Sequence, residues 1–282
     1  MKAIILNLSA WVMLPVMDGF AKYLSSTLPI LQITWSRYFF TVVFVLPIML
    51  VFFRKNLTWT EQPKLQLIRG LLLFCANILF FYSISIISLA KALTLAFIAP
   101  LIVTLLSPIL LGEKVGFRRW AAVIVGFIGS LIVIRPGFVE FNLASFAALG
   151  TGVMYGFYLI VTRKLHNSDN PLLTLLLTGT VGAIVGSIIM PTVWVQPTIN
   201  EWYMMFAIGF FASLGHFFLI LSLRYADASK LAPFGYFEIV PNIIIGYFFF
   251  NHFPNQWHFI GLFIIISLGI YIFRREILNI PK

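Results

Sequence analysis

Charge is what this chain of 282 residues has least of. Charged side chains make up 10% of it, against about 25% in a soluble domain. Acids are scarcer than bases, 9 Asp and Glu to 19 Lys and Arg. Cys75 is the only cysteine, which excludes an intramolecular disulfide. The four histidines, His166, His216, His252 and His258, lack metal-ligand spacing, so no metal is expected. No His-Glu-x-x-His, nucleophile elbow or phosphate-binding glycine loop occurs. No cofactor is expected, and an integral-membrane enzyme is the remote alternative. A channel would call for a repeated filter or a ring of like charges, and neither is present.

What is present is apolar: 61% of the residues are hydrophobic and 17% aromatic. A helical span takes about 20 apolar residues, so ten spans leave no length for a separate soluble domain. Read between Pro, Gly and charges, the spans fall near 4–24, 31–53, 66–87, 91–111, 119–134, 143–162, 172–190, 203–224, 229–250 and 257–273. The run from Ala3 to Leu24 lacks a small-residue cleavage pattern and is read as a retained helix, with the mature chain starting near Met1.

The net charge of +10 lies in short connections, where it sets orientation in a lipid bilayer; nucleic acid is not an expected partner. Arg54, Lys55, Lys64 and Arg69, then Lys114, Arg118 and Arg119, then Arg163 and Lys164 fall in alternate connections. Arg224, Lys230, Arg274, Arg275 and Lys282 keep to the same side, and only Lys91 and Arg135 fall on the other. Both termini are therefore expected to be cytoplasmic, in a bacterial cytoplasmic membrane. Monomer and homodimer stay open.

The first five spans and the last five are equal in length. A shift of 139 brings together Gly70 with Gly209, Asn77 with His216, Ser83 with Ser222, Lys91 with Lys230 and Arg135 with Arg274, and a shift of 141 places Pro100 on Pro241. Five is odd, so a second copy enters the membrane from the opposite side, the inverted plan common in secondary transporters. Chance pairing in so biased a composition is the alternative.

Ala99-Pro100-Leu101 through Leu110-Leu111-Gly112-Glu113-Lys114, then Arg119-Trp120-Ala121 and Gly126-Phe127-Ile128-Gly129 to Arg135-Pro136-Gly137, resembles the first EamA repeat of the drug/metabolite transporter superfamily. Asp18-Gly19 with Lys22, Trp35-Ser36-Arg37-Tyr38 and Ala232-Pro233-Phe234-Gly235-Tyr236 resemble a subgroup that includes riboflavin and S-adenosylmethionine carriers. The resemblance covers almost the whole chain. It implies an all-α fold of ten transmembrane helices in two inverted five-helix repeats, 1–137 and 138–282, around a cavity lined by spans one, three, four, six, eight and nine. The chain departs from the family after span nine, where Asn251-His252-Phe253-Pro254 replaces the frequent Gly-Glu.

An ionisable group inside a membrane costs roughly 2.5 to 3.5 kcal/mol and needs a partner or a wet cavity. Glu238, about 15 Å into span nine, reads as a partner for a cationic group or as a proton site; a protonated structural Glu is the alternative. Asn242, one turn on, is expected to share its face. Asp18 and Lys22 are four apart and can pair, with Arg37 nearby. In the functional reading Arg37 or Lys22 meets an anionic substrate group while Asp18 holds it; in the other, the three form a self-satisfied triad with Lys22 snorkelling outward. Asn77 and His216 read as cavity groups or as interhelical bonds. Trp11, Tyr82, Phe97, Tyr155, Tyr158, Phe234 and Tyr236 are the aromatic candidates for stacking or cation-π contact, with packing the alternative for each. Pro100 and Pro241 are expected to bend their spans.

The expected function is a secondary transporter that moves a small zwitterionic or cationic metabolite, amino acid-like or S-adenosylmethionine-like, by alternating access. A flavin-type or other aromatic ring metabolite is the alternative substrate; direction and coupling stay open. The topology is checked by single-cysteine labelling. Asn200→Cys and Asn255→Cys should react from outside, Asn167→Cys only after permeabilisation, and the reverse pattern would overturn the orientation.

Overall fold

The computed structural model describes residues 1–134, 142–251 and 256–278. Arg135, Pro136, Gly137, His252, Phe253, Pro254 and Asn255 lie outside the described residues, as do the side chains of His258 and Arg275. Twelve α-helices follow one another: α1 (Lys2–Leu24), α2 (Ile30–Phe52), α3 (Pro63–Ile86), α4 (Leu89–Ala96), α5 (Ile98–Leu111), α6 (Phe117–Ile134), α7 (Leu143–Lys164), α8 (Pro171–Ile189), α9 (Ile199–Tyr225), α10 (Ala228–Leu231), α11 (Ile239–Phe250) and α12 (Gln256–Leu278). A 3-10 stretch, Ala232–Glu238, joins α10 to α11. No strand occurs among the described residues.

Among the described residues eight segments are long and apolar enough to cross a bilayer: α1, α2, α3, Leu89–Leu111, α7, Pro171–Thr192, α9 and Ala228–Phe250. Their ends follow local chemistry. Asn142 with Ser145 and Thr198 with Glu201 form reciprocal caps at the starts of α7 and α9. Gly112 (φ 68°) and Asn251 (φ 52°) close Leu89–Leu111 and Ala228–Phe250 in the left-handed region, where glycine and asparagine are the residues least strained.

Those same two spans are interrupted. The first breaks at Phe97, three residues before Pro100. Pro100 has no N–H for the carbonyl four residues back, that of Ala96, and a Cβ added at Gly152 of α7 would press on that carbonyl oxygen. The second span loosens into the 3-10 stretch that ends at Glu238, three residues before Pro241. Proline alone does not break a span, since Pro15, Pro47 and Pro108 sit inside helices that continue.

Packing pairs α1 with α9, α3 with α7, α2 with α8 and α6 with α12. Glycines set several of these close approaches. Gly70 of α3 abuts Val181 of α8, and Gly209 of α9 abuts Phe40 of α2. Gly182 lies against Tyr38, and Gly179 against Thr41. Each contact in these two pairs maps onto its mate under shifts of 139 to 141 residues.

Polar ties close both ends of the bundle. At the end carrying the basic connections, Asp169 accepts from Thr60 Oγ1 (2.5 Å) and Gln66 Nε2 (2.8 Å). At the opposite end Glu201 accepts from Thr27 Oγ1 (2.5 Å), and Gln32 exchanges two bonds with the Val195 backbone (2.7 and 2.9 Å).

The close approaches are tested by Gly152→Ala, which should destabilise the purified protein by about 1 to 3 kcal/mol, the scale of overpacking. Gly269→Ala, where nothing lies within 4 Å, should be neutral or stabilising by helix propensity. Thermal unfolding in detergent reads both, and equal melting temperatures would contradict the tight α4–α7 contact.

Candidate functional site

Where the two interrupted spans face α1, α3, α7 and α9, they line a cavity of about 100 Å³. Its wall is mostly apolar, with polar groups from Asn7, Asp18, Arg37, Asn77, Thr151, Tyr155, His216 and Glu238. Of the residues singled out in the sequence, Glu238, Asn77, His216, Asp18, Arg37, Trp11, Phe97, Tyr155 and Pro100 line it.

Tyr82, Tyr158, Phe234, Tyr236, Asn242 and Pro241 do not. Tyr82 is half-buried against the core. Phe234 is core, and Tyr236 packs on Gly126 while its hydroxyl donates to the Val123 carbonyl (3.0 Å), fixing the 3-10 stretch to α6. Asn242 turns back on its own helix and donates to the Glu238 carbonyl (3.0 Å). Lys22 does not pair with Asp18: its ammonium takes the Ile84 and Ile87 carbonyls (2.6 and 3.1 Å) at the end of α3. Helix-terminal carbonyls lack internal donors and attract a cation.

Arg69 is the residue whose place differs most from expectation. It belongs to no connection; it is fully buried in α3. Its guanidinium donates to Thr162 Oγ1 (2.8 Å), the Thr174 carbonyl (3.1 Å), Thr178 Oγ1 and Tyr158 Oη (2.9 Å). Tyr158 Oη lies 3.0 Å from His216 Nδ1, and His216 Nε2 lies 2.5 Å from Arg37 Nη2. Arg37 Nη1 donates to Tyr38 Oη (2.8 Å), which also accepts from Asn77 Nδ2 (3.0 Å). A continuous polar chain thus runs from the α7–α8 end of the bundle to the cavity wall. An arginine can only donate, so His216 Nε2 is the acceptor, and the imidazole proton sits on Nδ1, directed at Tyr158. Among the described residues neither Arg37 nor Arg69 has a carboxylate within ion-pair distance.

On the far wall Trp11 Nε1 donates to Asn7 Oδ1 (2.7 Å), and Asn7 donates to Ser222 (3.3 Å). The Trp11 ring meets Tyr155 edge-on at 6.3 Å, and Tyr155 stacks on Tyr158 at 5.3 Å. The Glu238 side chain makes no hydrogen bond among the described residues and faces the cavity.

Ala228 and Leu231 form the floor, held by Glu113. The Glu113 carboxylate accepts from the Ala228 amide (2.9 Å), the Ser229 amide (2.9 Å) and the Ser229 hydroxyl (2.6 Å), and pairs with Arg163 (3.2 Å). Arg163 also reaches Asp227 (2.9 Å) and the Leu223 carbonyl (2.8 Å). Burial alone would raise the Glu113 carboxyl; the Ser229 hydroxyl and amide, the Ala228 amide and Arg163 outweigh it and hold the carboxyl below its ordinary value.

The sequence profile of the EamA-like transporter family matches this chain twice, over residues 1–135 and 142–275. The chain belongs to the EamA-like transporter family. It is similar to an S-adenosylmethionine uptake transporter of Rickettsia bellii, with 30% identity across 92% of this chain and 89% of that protein. A riboflavin transporter of Vibrio cholerae is 26% identical across 95% and 92% of the two chains. A pseudopaline exporter of Pseudomonas aeruginosa is 27% identical across 93% and 92%. A solved crystal structure with 18% identity superposes with a TM-score of 0.77 over 97% of this chain and 98% of that one, which supports the fold alone. The EamA-like chain is thus an integral membrane transporter for a small molecule, and not an enzyme.

The floor is tested through Glu113. A carboxyl held below its ordinary value adds stability that is fully present above about pH 4.5 and is lost as pH falls through the lower folded value. Glu113→Gln sets an amide N–H against donors, so it should cost about 1 to 3 kcal/mol near neutral pH and flatten the acid limb of the stability curve. Thermal unfolding from pH 7 to pH 3.5 checks both, and an unchanged acid limb would remove Glu113 as its source.

Proposed function

We propose that this EamA-like transporter is a secondary carrier that moves a small zwitterionic or cationic metabolite, amino acid-like or S-adenosylmethionine-like, by alternating access. The observation that carries the reading is one cavity presenting a guanidinium, Arg37, and two carboxylates, Asp18 and Glu238, with no ion pair joining them. Charges held apart in a low-dielectric cavity suit a ligand with both signs. The name of the Rickettsia relatives supports the same class. The edge-on and stacked rings of Trp11, Tyr155 and Tyr158 favour a second reading, a flavin-type ring compound, which the Vibrio relative's name also fits.

Two inverted five-helix repeats, 1–137 and 138–282, are part of the proposal, with α6 and α12 as the fifth and tenth spans. Several observations support this. The profile matches twice. The α1–α9 pair answers the α7–α3 pair. The broken spans Leu89–Leu111 and Ala228–Phe250 are equal in length and end alike in left-handed residues. The basic connections favour both termini in the cytoplasm of a bacterial cell. Alternating access would rock the bundle around the fixed site, with the breaks before Pro100 and Pro241 as hinges and the Glu113 and Lys22 contacts as the ties surrendered in turn.

Glu238→Gln keeps the side chain's shape and removes its charge, so it should fold normally and weaken a cationic substrate by about 1.5 to 3 kcal/mol. Uptake of labelled S-adenosylmethionine into sealed proteoliposomes, with riboflavin in a parallel arm, measures it. Unchanged affinity and pH dependence would remove Glu238 from the site.

A further inference from the structure

Three residues that line the cavity each carry a buried polar atom with no hydrogen-bond partner among the described residues: Asp18 Oδ1, Arg37 Nε and Tyr155 Oη. Native proteins rarely leave such groups unsatisfied. The other orphaned atoms belong to Thr34, Gln66, Thr104, Ser107 and Asn242, none of which lines the cavity. The three residues line one cavity, and two of them flank one imidazole: Arg37 Nη2 lies 2.5 Å from His216 Nε2, and the Tyr155 ring meets that of His216 edge-on at 6.5 Å.

Their orientation is fixed from behind. Tyr38 and His216 hold the two Nη atoms of Arg37, and Tyr158 and Arg69 hold His216 through its other nitrogen. With both Nη atoms engaged, the guanidinium plane is held, and Nε is its one nitrogen without a partner among the described residues. A guanidinium edge matches a carboxylate. Asp18 Oδ1 can only accept while ionised, so it calls for a donor such as an ammonium. Lys22, the nearest cation along α1, is committed to the Ile84 and Ile87 carbonyls.

We propose that Arg37 Nε, Asp18 Oδ1 and Tyr155 Oη together form a binding subsite for a free α-amino-carboxylate headgroup. The carboxylate meets Arg37 and the Tyr155 hydroxyl, and the ammonium meets Asp18. Glu238 is left for a cationic centre farther along the substrate. A plain amine leaves Arg37 Nε unpaired, and a plain carboxylate leaves Asp18 unpaired. The subsite therefore rejects both, as sites with buried polar groups reject ligands that cannot pair them. The inference rests on the zwitterionic-carrier reading and names which end of the substrate docks at which pole.

The test uses the purified full chain and two probe sets. The first is S-adenosylmethionine, its decarboxylated analogue and 5′-methylthioadenosine; the second is L-methionine, 3-methylthiopropylamine and 4-methylthiobutyrate. Thermal stabilisation across a titration gives the affinity of each. In at least one set the headgroup-bearing compound should bind about tenfold or more tightly than its decarboxylated or deaminated partners. Tyr155→Phe removes only an unbonded hydroxyl, so the ligand-free melting temperature should hold or rise. It should weaken the headgroup-bearing compound about tenfold while leaving the decarboxylated one unchanged, a split that a purely structural role would not produce. Equal binding of parent and decarboxylated compounds, or no stabilisation by either headgroup-bearing probe, overturns the subsite. The carrier reading is judged separately, by whether proteoliposomes accumulate any labelled probe, with or without a headgroup.

Discussion

A hydrocarbon core offers no hydrogen-bond partners, so any backbone break or buried charge inside it must be met by protein or by water in a cavity. The two interrupted spans obey this constraint. Phe97 and the stretch Ala232–Glu238 border the cavity, and glycine at 152 lets α7 close over the Ala96 carbonyl that proline leaves without its usual donor. Among the described residues the two interruptions of these spans both border the cavity, so its position follows from where breaks can be tolerated.

The same constraint explains the buried arginines. Arg69 is surrounded by threonine oxygens and a tyrosine hydroxyl, and Arg37 by a tyrosine and a neutral histidine. Neutral acceptors solvate each guanidinium without cancelling its charge. A carboxylate partner would have neutralised Arg37 and left the cavity no positive pole. The chain of bonds from Arg69 to Arg37 therefore both holds the cation in place and keeps its charge available.

Much of this was legible in the sequence. The span ends fall within a few residues of the helices because charges and prolines punctuate the apolar runs, and Asn77 and His216, which the repeat shift pairs, both line the cavity. Other features were not. Arg69 reads as a loop charge because its partners lie 89 to 109 residues away along the chain. The Asp18–Lys22 pair is sound helix geometry, yet carbonyls at the end of a different helix draw Lys22 away. Tyr155 and Tyr158 are three apart, but one lines the cavity and the other supports the arginine relay behind it. Helices apolar on every face give no periodic signal to separate such roles.

The long sequence separations in the arginine relay also bear on biogenesis. During synthesis α2 and α3 leave the ribosome well before Tyr158, Thr162, Thr174, Thr178 and His216 exist. Arg69 must therefore enter the bilayer without its eventual partners and Arg37 without His216, at an insertion penalty of roughly 2.5 to 3.5 kcal/mol each. The strongly apolar bodies of α2 and α3, whose only other charge is Lys64 at the start of α3, carry them in. Only when α7, α8 and α9 arrive are the guanidiniums satisfied, so arrival of the second half converts two poorly inserted helices into the fixed wall of the cavity.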